Sequence, residues 1–295
     1  MKDLRLGNTT VQAVLESADV PLAFAEFLPT ATLEAINAER AWLEPRFARE
    51  TAPGVWHGMF SFHSYVVRTP RHTILVDSCI GNDKNRNGAP GFHMIDTPWL
   101  ANLAAAGVAP ESVDFVMCTH MHADHIGWNT RLANGRWVPT FPNARYLFAR
   151  REFEHRRSAW ELDPGSQYNA YADSVLPVID AGQAVIVDSD HDIDGIVTLE
   201  AAPGHTPGNV VIHLRDGGGA GAVLSGDVIH HPLQVKYPEW SSGFCEDPEQ
   251  SAICRRAFVE RHAELGTLVL PAHFAAPTAG HIRRDGQRWR FQFAG

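Results

Sequence analysis

The stretch "THMHADHIGW" (Thr119–Trp128) decides the interpretation of this chain, because it follows directly on the apolar run "VDFVMC". Four side chains that can bind a metal lie within six residues: His120, His122, Asp124 and His125. Side chains alternate along a strand, so the first three would share one face, and a helix start there would turn His125 to a neighbouring position. Imidazole and carboxylate are ligands of zinc and other first-row divalent metals. The stretch therefore predicts one short loop that serves two adjacent ions.

Composition predicts a folded protein whose partner is not a polyanion. Hydrophobic residues make up 44% of the 295 residues, which is enough for a sizeable core and argues against disorder. The net charge is −9 and there is no basic stripe, so we expect no nucleic acid and no membrane as a partner. No apolar stretch approaches the roughly 20 residues that span a bilayer, and the N-terminus lacks an apolar signal core. We expect a cytoplasmic protein with four free cysteines.

The pattern along the chain predicts many short strands interleaved with helices, which favours an α/β sandwich with mixed sheets over a doubly wound parallel sheet. Paired strands flank the turn "TPRH" and end at Asp77. Further strands are predicted over 112–120, 143–150, 183–190, 195–202, 210–216, 220–227 and 267–274, with a glycine-rich turn at 216–221. Helices are predicted over 97–108, 151–160 and 247–265.

The first 55 residues are less regular than the rest. Residues 31–47 have the spacing of a helix, and the apolar stretch "PLAFAEFLP" contains Phe24 and Phe27. These two rings are candidates for contact with an apolar chain of a substrate, and packing against a second subunit is the competing interpretation. We therefore expect one domain over 1–295, in which 1–55 form an N-terminal extension or a cover over a pocket.

Three more ligand candidates follow predicted strands. His205 stands in "APGHTPGN", Asp227 in "LSGDVIHH" and His273 in "LPAHFAAP". Glycine and proline around His205 permit a tight turn and a close approach to an ion. His213 and His262 match equally well by residue type, but active-site loops gather at strand ends on a rigid scaffold, which favours the first three.

The order HxHxDH, GH, GD and H over residues from about 56 to 275 resembles the metallo-β-lactamase superfamily. The resemblance implies an α/β (α+β) fold in a four-layer αβ/βα sandwich, with two divalent metal ions, most commonly zinc, at one edge of the sheets. It assigns His120, His122 and His205 to one ion. It assigns Asp124, His125 and His273 to the other ion, with Asp227 bridging both. Asp77 matches the family's aspartate that orients a metal-bound histidine.

Asp227 indicates the branch of the superfamily. The β-lactamases place cysteine or a non-ligand at this position, so penicillin-type substrates are disfavoured. Glyoxalase II enzymes keep all ligands but usually carry a C-terminal helical domain, and here 22 residues follow His273. The motifs are most similar to the N-acyl homoserine lactonase and methyl parathion hydrolase branch. Many of these lactonases have tyrosine three residues after the bridging aspartate, and His230 stands there in this chain.

The resemblance implies a hydrolase that opens lactones or related esters through a metal-bridging hydroxide. Two ions that share one water lower its pKa from about 15.7 toward about 7. The ion on Asp124 would polarise the carbonyl, while Asp227 holds both ions. His230 is a candidate donor of the proton to the leaving oxygen, and hydrogen bonding to a neighbouring group is the equally weighted alternative.

Several competing functions stay open. A phosphotriesterase or arylesterase would use the same centre, and a glyoxalase II-like thioesterase is a weaker alternative. A flavodiiron-type oxidoreductase is disfavoured because this fold's relatives of that kind have HxExD in the front motif and an added flavin domain. A non-enzymatic metal-binding protein is disfavoured by the complete ligand set. We expect a small-molecule lactone or ester as the substrate and allow for a homodimer.

Overall fold

The structure, a computed structural model, describes residues 4–215 and 221–294. The described chain divides into two compact units. The first unit contains the chain up to Glu16 together with Phe62–Leu199, and the second contains Ser17–Ser61 and the chain from Glu200 onward. The interpretation of 1–295 as one domain with a covering segment over 1–55 stays a prediction. The predicted glycine-rich turn at 216–221 lies almost wholly outside the described residues.

Strands alternate with helices along the described chain, as the sequence predicts. The strands are β1 (Leu4–Leu6), β2 (Thr9–Ala23), β3 (Ala48–Ala52), β4 (Val55–Arg68), β5 (Thr73–Val76), β6 (Phe115–Met117), β7 (Thr130–Ala133), β8 (Arg136–Pro139), β9 (Arg145–Ala149), β10 (Ala184–Val187), β11 (Asp192–Ile193), β12 (Val197–Ala201), β13 (Val210–Leu214), β14 (Ala222–Gly226), β15 (Leu268–Pro271), β16 (Gly280–Asp285) and β17 (Arg288–Phe293).

The helices include several of only one turn. They are α1 (Phe24–Phe27), α2 (Leu33–Ala38), α3 (Arg40–Leu43), α4 (Trp99–Ala105), α5 (Ala123–Ile126), α6 (Arg150–Leu162), α7 (Ala170–Ser174), α8 (Leu176–Asp180), α9 (Pro232–Lys236) and α10 (Pro248–Leu265). None of the helices within 4–215 and 221–294 is long and apolar enough to cross a bilayer.

The strands form two large mixed sheets. One has the order β1-β2-β4-β5-β6-β9-β10, with β3 paired to β4, and the other has the order β11-β12-β13-β14-β15-β16-β17. In the first sheet β5, β6, β9 and β10 are parallel neighbours. Parallel strands carry their carboxyl ends to the same edge, so the loops that follow β5 and β6 emerge together. The mixed α/β class expected from the sequence is confirmed.

The core of the first unit explains how the motif loop is held. Met121, Ala123 and Ile126 alternate with the candidate ligands and belong to the apolar core of this unit. Trp128 is buried there and stacks on Trp99 with ring centroids 5.3 Å apart. Burial of a large apolar side chain contributes about 1.5–3 kcal/mol, so these residues fix the backbone from which the histidines project.

The core of the second unit includes the N-terminal segment. Phe24 and Phe27 are buried in one apolar cluster with Phe60, Leu233 and Trp240. The expected helix over 31–47 is two short helices, α2 and α3, because the chain leaves helical geometry at Glu39. The two phenylalanines therefore belong to the packed interior of this unit, where they face ring systems of its own.

Candidate metal-binding residues

The motif loop runs from the end of β6 into the short helix α5. His122 takes the N-cap position of α5 with extended backbone angles, and Asp124 and His125 lie within the helix. The strand-to-helix transition expected at this point is present. His120, His122 and His125 are all buried, and Asp124 is partly exposed.

The four side chains of the motif lie close to one another. The ring centroids of His120 and His122 are 4.6 Å apart, and those of His120 and His125 are 4.0 Å apart. The ligand atoms of His120 and His122 lie within 4.8 Å of one another, and Asp124 Oδ2 is 3.7 Å from His125 Nε2. Two pairs of donor atoms within the first unit could therefore each contribute to holding a metal ion.

Asp77 organises this loop from the end of β5. Its carboxylate accepts hydrogen bonds from the backbone N–H of Thr119 at 2.7 Å and from the Thr119 hydroxyl at 2.8 Å. It also lies 2.9 Å from His125 Nδ1. A carboxylate can only accept, so Nδ1 of His125 carries the proton and Nε2 of the neutral ring presents the lone pair. This is the tautomer that a metal ligand needs.

The second unit brings three sequence-predicted histidines together around the carboxylate of Asp227. Nε2 of His205 and Nε2 of His230 each lie 3.1 Å from Asp227 Oδ2. Nε2 of His273 lies 3.1 Å from Asp227 Oδ1. All four side chains are buried. Asp227 follows β14 and His273 follows β15, which are parallel neighbours, so their loops start at the same edge of the sheet.

The other ring nitrogens of two of these histidines have partners that the sequence did not reveal. Nδ1 of His273 lies 3.3 Å from the carbonyl oxygen of Ser61, which fixes the proton on Nδ1. Nδ1 of His205 lies 3.6 Å from Sγ of Cys245, whose thiol also contacts the hydroxyls of Ser242 and Ser251. Both partners are far from the histidines along the chain, so no local pattern could have indicated them.

The histidines around Asp227 differ in pKa. Burial lowers the pKa of His205, but the Asp227 carboxylate more than offsets it and raises that pKa to about 9. For His230 burial is the larger effect and lowers the pKa to about 4, against the opposing influence of Asp227. Burial raises the pKa of the Cys245 thiol, yet contact with His205 brings it down to about 7.

The other histidines considered from the sequence lie elsewhere in the second unit. Nε2 of His213 pairs with Glu200 at 2.9 Å, and the ring centroids of His213 and His262 are 5.9 Å apart. Arg261 binds the same Glu200 carboxylate. In the first unit Trp128 donates its indole N–H to buried Glu16 at 2.7 Å. His213, His262 and Trp128 therefore have structural partners of their own.

The residues present fit divalent cations by their chemistry. The donors are imidazole nitrogens and carboxylates, which zinc and its first-row neighbours prefer. Because the ring proton of His125 and of His273 is on Nδ1, Nε2 of each ring carries the lone pair with which it can bind a metal ion. Buried histidines grouped with carboxylates in this way are typical of metal ligands supported by a surrounding set of hydrogen bonds.

Comparison with known proteins places the chain in a family. Residues 59–273 match the model of the metallo-beta-lactamase superfamily. The chain is 33% identical over 125 residues to the N-acyl homoserine lactonase AttM of Azorhizobium caulinodans, an alignment that covers 41% of this chain and 43% of that relative. The alignment thus spans less than half the length of this curated relative.

Solved structures share the fold. The hydrolase AbOPH of the beta lactamase superfamily has a TM-score of 0.80 at 23% identity, covering 99% of this chain and 97% of its own. The dizinc quorum-quenching lactonase AidC, in complex with its product N-hexanoyl-L-homoserine, has a TM-score of 0.76 at 19% identity, covering 100% and 97%. The family match extends over most of the chain and includes every candidate ligand. The chain belongs to the metallo-β-lactamase superfamily.

Proposed function

We propose that the protein is a metal-dependent hydrolase that opens lactones, with N-acyl homoserine lactones or related lactones and esters as substrates. The observation that carries the proposal is the convergence of His205, His230 and His273 on one buried carboxylate, Asp227. The alignment with a curated lactonase points in the same direction. The proposal treats the two units as parts of one domain over 1–295.

The proposed ligand assignment follows the family order. His120, His122 and His205 hold one divalent ion, and Asp124, His125 and His273 hold the second. Asp227 is shared by both ions, which are zinc in this proposal. When bound, such ions supply a nucleophile at neutral pH and stabilise the negative charge that develops on the attacked carbonyl group.

The protein's own residues would prepare this chemistry. Asp77 keeps the proton of His125 on Nδ1, and the Ser61 carbonyl does the same for His273. Burial shields the histidines from water, which strengthens the electrostatic interactions around them. His230 lies against Asp227 with Nε2 3.1 Å away. In this proposal its neutral ring, whose pKa burial lowers to about 4, donates its N–H proton to the leaving oxygen.

One observation favours a second candidate function. The position three residues after Asp227 carries His230 where many lactonases have tyrosine, and a histidine there is closer to the organophosphate-hydrolase side of the branch. An arylesterase or phosphotriesterase activity of the same centre is therefore the alternative. A thioesterase of the glyoxalase II kind is the weaker one.

The test is a hydrolysis panel on protein of known metal content. Elemental analysis of natively prepared protein should show about two divalent ions per chain. The panel contains acyl homoserine lactones of short and long chain, simple γ- and δ-lactones, aryl esters, a phosphotriester and a thioester. We expect lactones to have the highest kcat/KM. Protein that holds two ions but prefers the phosphotriester would support the alternative, and protein with no ion would contradict the proposed centre.

A further inference from the structure

The segment between α9 and α10 presents one exposed aromatic ring next to the candidate ligands of the second unit. Phe244 is 49% exposed, although its neighbours Ser242 and Cys245 are largely enclosed. Single exposed apolar residues are common on protein surfaces and need no explanation by themselves. Ile253 on α10, for example, is 64% exposed. Phe244 differs from such residues because its ring contacts the buried ring of Phe27, which in turn contacts His230.

The ring of Phe244 continues an aromatic series that begins at Asp227. His230, which contacts Asp227, has its ring 5.7 Å from that of Phe27 in an edge-to-face arrangement. Phe27, fully buried, lies 6.2 Å from the ring of Phe244, with the planes inclined by 36°. A series of ring contacts thus leads from Asp227 through the buried ring of Phe27 to Phe244, whose ring reaches the solvent.

The backbone holds Phe244 in place from both sides. The N–H of Gly243 donates to the carbonyl of Phe27 at 3.0 Å, and the N–H of Glu246 donates to the carbonyl of His205 at 2.9 Å. The N–H of Phe244 donates to the Ser242 hydroxyl at 3.3 Å. The segment is therefore tied at one end to α1 and at the other to the loop that carries a candidate ligand.

Gly243 shows how close this packing is. A Cβ atom at this position would lie 2.6 Å from the carbonyl oxygen of Glu26, which is backbone and cannot move aside cheaply. Only glycine allows the segment to approach α1 so closely. Phe244 is thus positioned by a tight backbone contact, and its exposure is not the result of a loose loop.

We propose that Phe244 determines substrate specificity by binding the apolar chain of the substrate against its exposed ring face, backed by Phe27. This deepens the proposed function and rests on it. The carbonyl group to be attacked would lie near Asp227 and His230, and the end of an acyl chain attached to it would cover the exposed face of Phe244. Each methylene that is covered contributes about 0.8 kcal/mol. Affinity should therefore increase with chain length.

The experiment compares Phe244→Ala, Phe244→Leu and the control Ile253→Ala with the unmodified protein, all loaded with zinc. Substrates are the butanoyl, hexanoyl, octanoyl and decanoyl homoserine lactones. For Phe244→Ala we expect KM for the decanoyl substrate to rise about tenfold, with the butanoyl value changed less than about twofold and kcat retained. Phe244→Leu should recover most of the loss, and Ile253→Ala should behave like the unmodified protein.

Two further measurements separate this proposal from the proposed function. Calorimetry of ring-opened N-decanoyl homoserine should show the same loss of affinity in Phe244→Ala without any turnover. Nitrophenyl esters from acetate to decanoate repeat the length series for an esterase. If only the esters are hydrolysed, the lactonase proposal fails, while a length-dependent loss on Phe244→Ala still supports the role of Phe244. The proposed role of Phe244 would be overturned if Phe244→Ala changed KM equally for short and long chains in both series, or changed it in neither.

Discussion

Asp227 is the residue on which the candidate ligands of the second unit converge, since three imidazole Nε2 atoms lie 3.1 Å from its oxygens. In Asp227→Ala these histidines lose their common carboxylate, and both proposed ions lose a ligand. We expect hydrolytic activity to fall by at least about 10²-fold together with loss of bound metal. The control is Asp190→Ala, which removes a carboxylate at an exposed position. Full activity with two ions in Asp227→Ala would rule out a shared ligand.

His230 is the residue at which this chain departs from the lactonase pattern. If it protonates the leaving oxygen, its importance depends on the leaving group. A lactone releases a poor alkoxide, so His230→Ala should slow lactone opening by roughly 10²–10⁴-fold. A nitrophenyl ester releases a stabilised anion and should be slowed much less.

His230→Gln separates proton transfer from orientation of the substrate. The amide of glutamine still donates a hydrogen bond, but it has no titratable proton to give to the leaving oxygen. The metal content of each variant must match that of the unmodified protein, since a lost ion slows every substrate alike. Equal slowing of both leaving-group classes with the metals retained would assign His230 to substrate positioning.

At the scale of elements, the close contact between the loops after β5 and β6 depends on Gly127. Its N–H donates to the carbonyl of Cys79 at 2.8 Å, and the N–H of Ser78 donates to the carbonyl of His125 at 2.7 Å. A Cβ on Gly127 would lie 1.7 Å from the carbonyl oxygen of Ile80. Gly127→Ala must therefore separate the two loops that bring Asp77 to His125.

We expect Gly127→Ala to lower the free energy of unfolding by about 1–3 kcal/mol or more, the usual cost of overpacking. It should also weaken metal binding, because Asp77 would no longer fix the His125 ring. Urea unfolding and competition with a chelator measure the two effects. Gly91→Ala is the matched control, since no atom lies within 4 Å of a Cβ there. Equal stability of the two variants would contradict this account of the loop contact.

The elements also show where sequence reasoning succeeds. Strands with strict apolar alternation or continuous apolar runs, such as β4, β5, β6 and β9, were predicted close to their observed positions. The long strand β2 was missed because polar residues interrupt its alternation, and its burial is correspondingly irregular. The hairpin of β16 and β17 was also missed, although Ile282, Trp289 and Phe291 alternate with charged residues and gave a usable signal.

The candidate ligands were accessible from the sequence because their spacing is local or because they follow predicted strands. Their supporting partners were not, with the exception of Asp77. Ser61 precedes His273 by 212 residues and Cys245 follows His205 by 40. Contacts of this kind are created by tertiary packing, and neither residue type nor periodicity encodes them locally. The same holds for the ring series through Phe27 to Phe244.

At the scale of the whole molecule, the proposed ligands are far apart in the sequence and come together only on folding, so metal binding should be linked to stability. A ligand that binds only the folded state stabilises it by about 2.7 kcal/mol at a concentration one hundred times its dissociation constant. For a chain of this size each kcal/mol shifts Tm by about 2–4 °C.

Removal of the metal by a chelator should therefore lower Tm by roughly 5–10 °C and abolish hydrolysis, and added zinc should restore both. Differential scanning calorimetry on the loaded, stripped and reloaded protein measures the shift. Asp227→Ala is the internal control: the chelator should change its Tm little, since the variant already lacks the shared ligand. A chelator-induced fall in Tm of the same size in Asp227→Ala would mean that the stabilising metal is bound elsewhere.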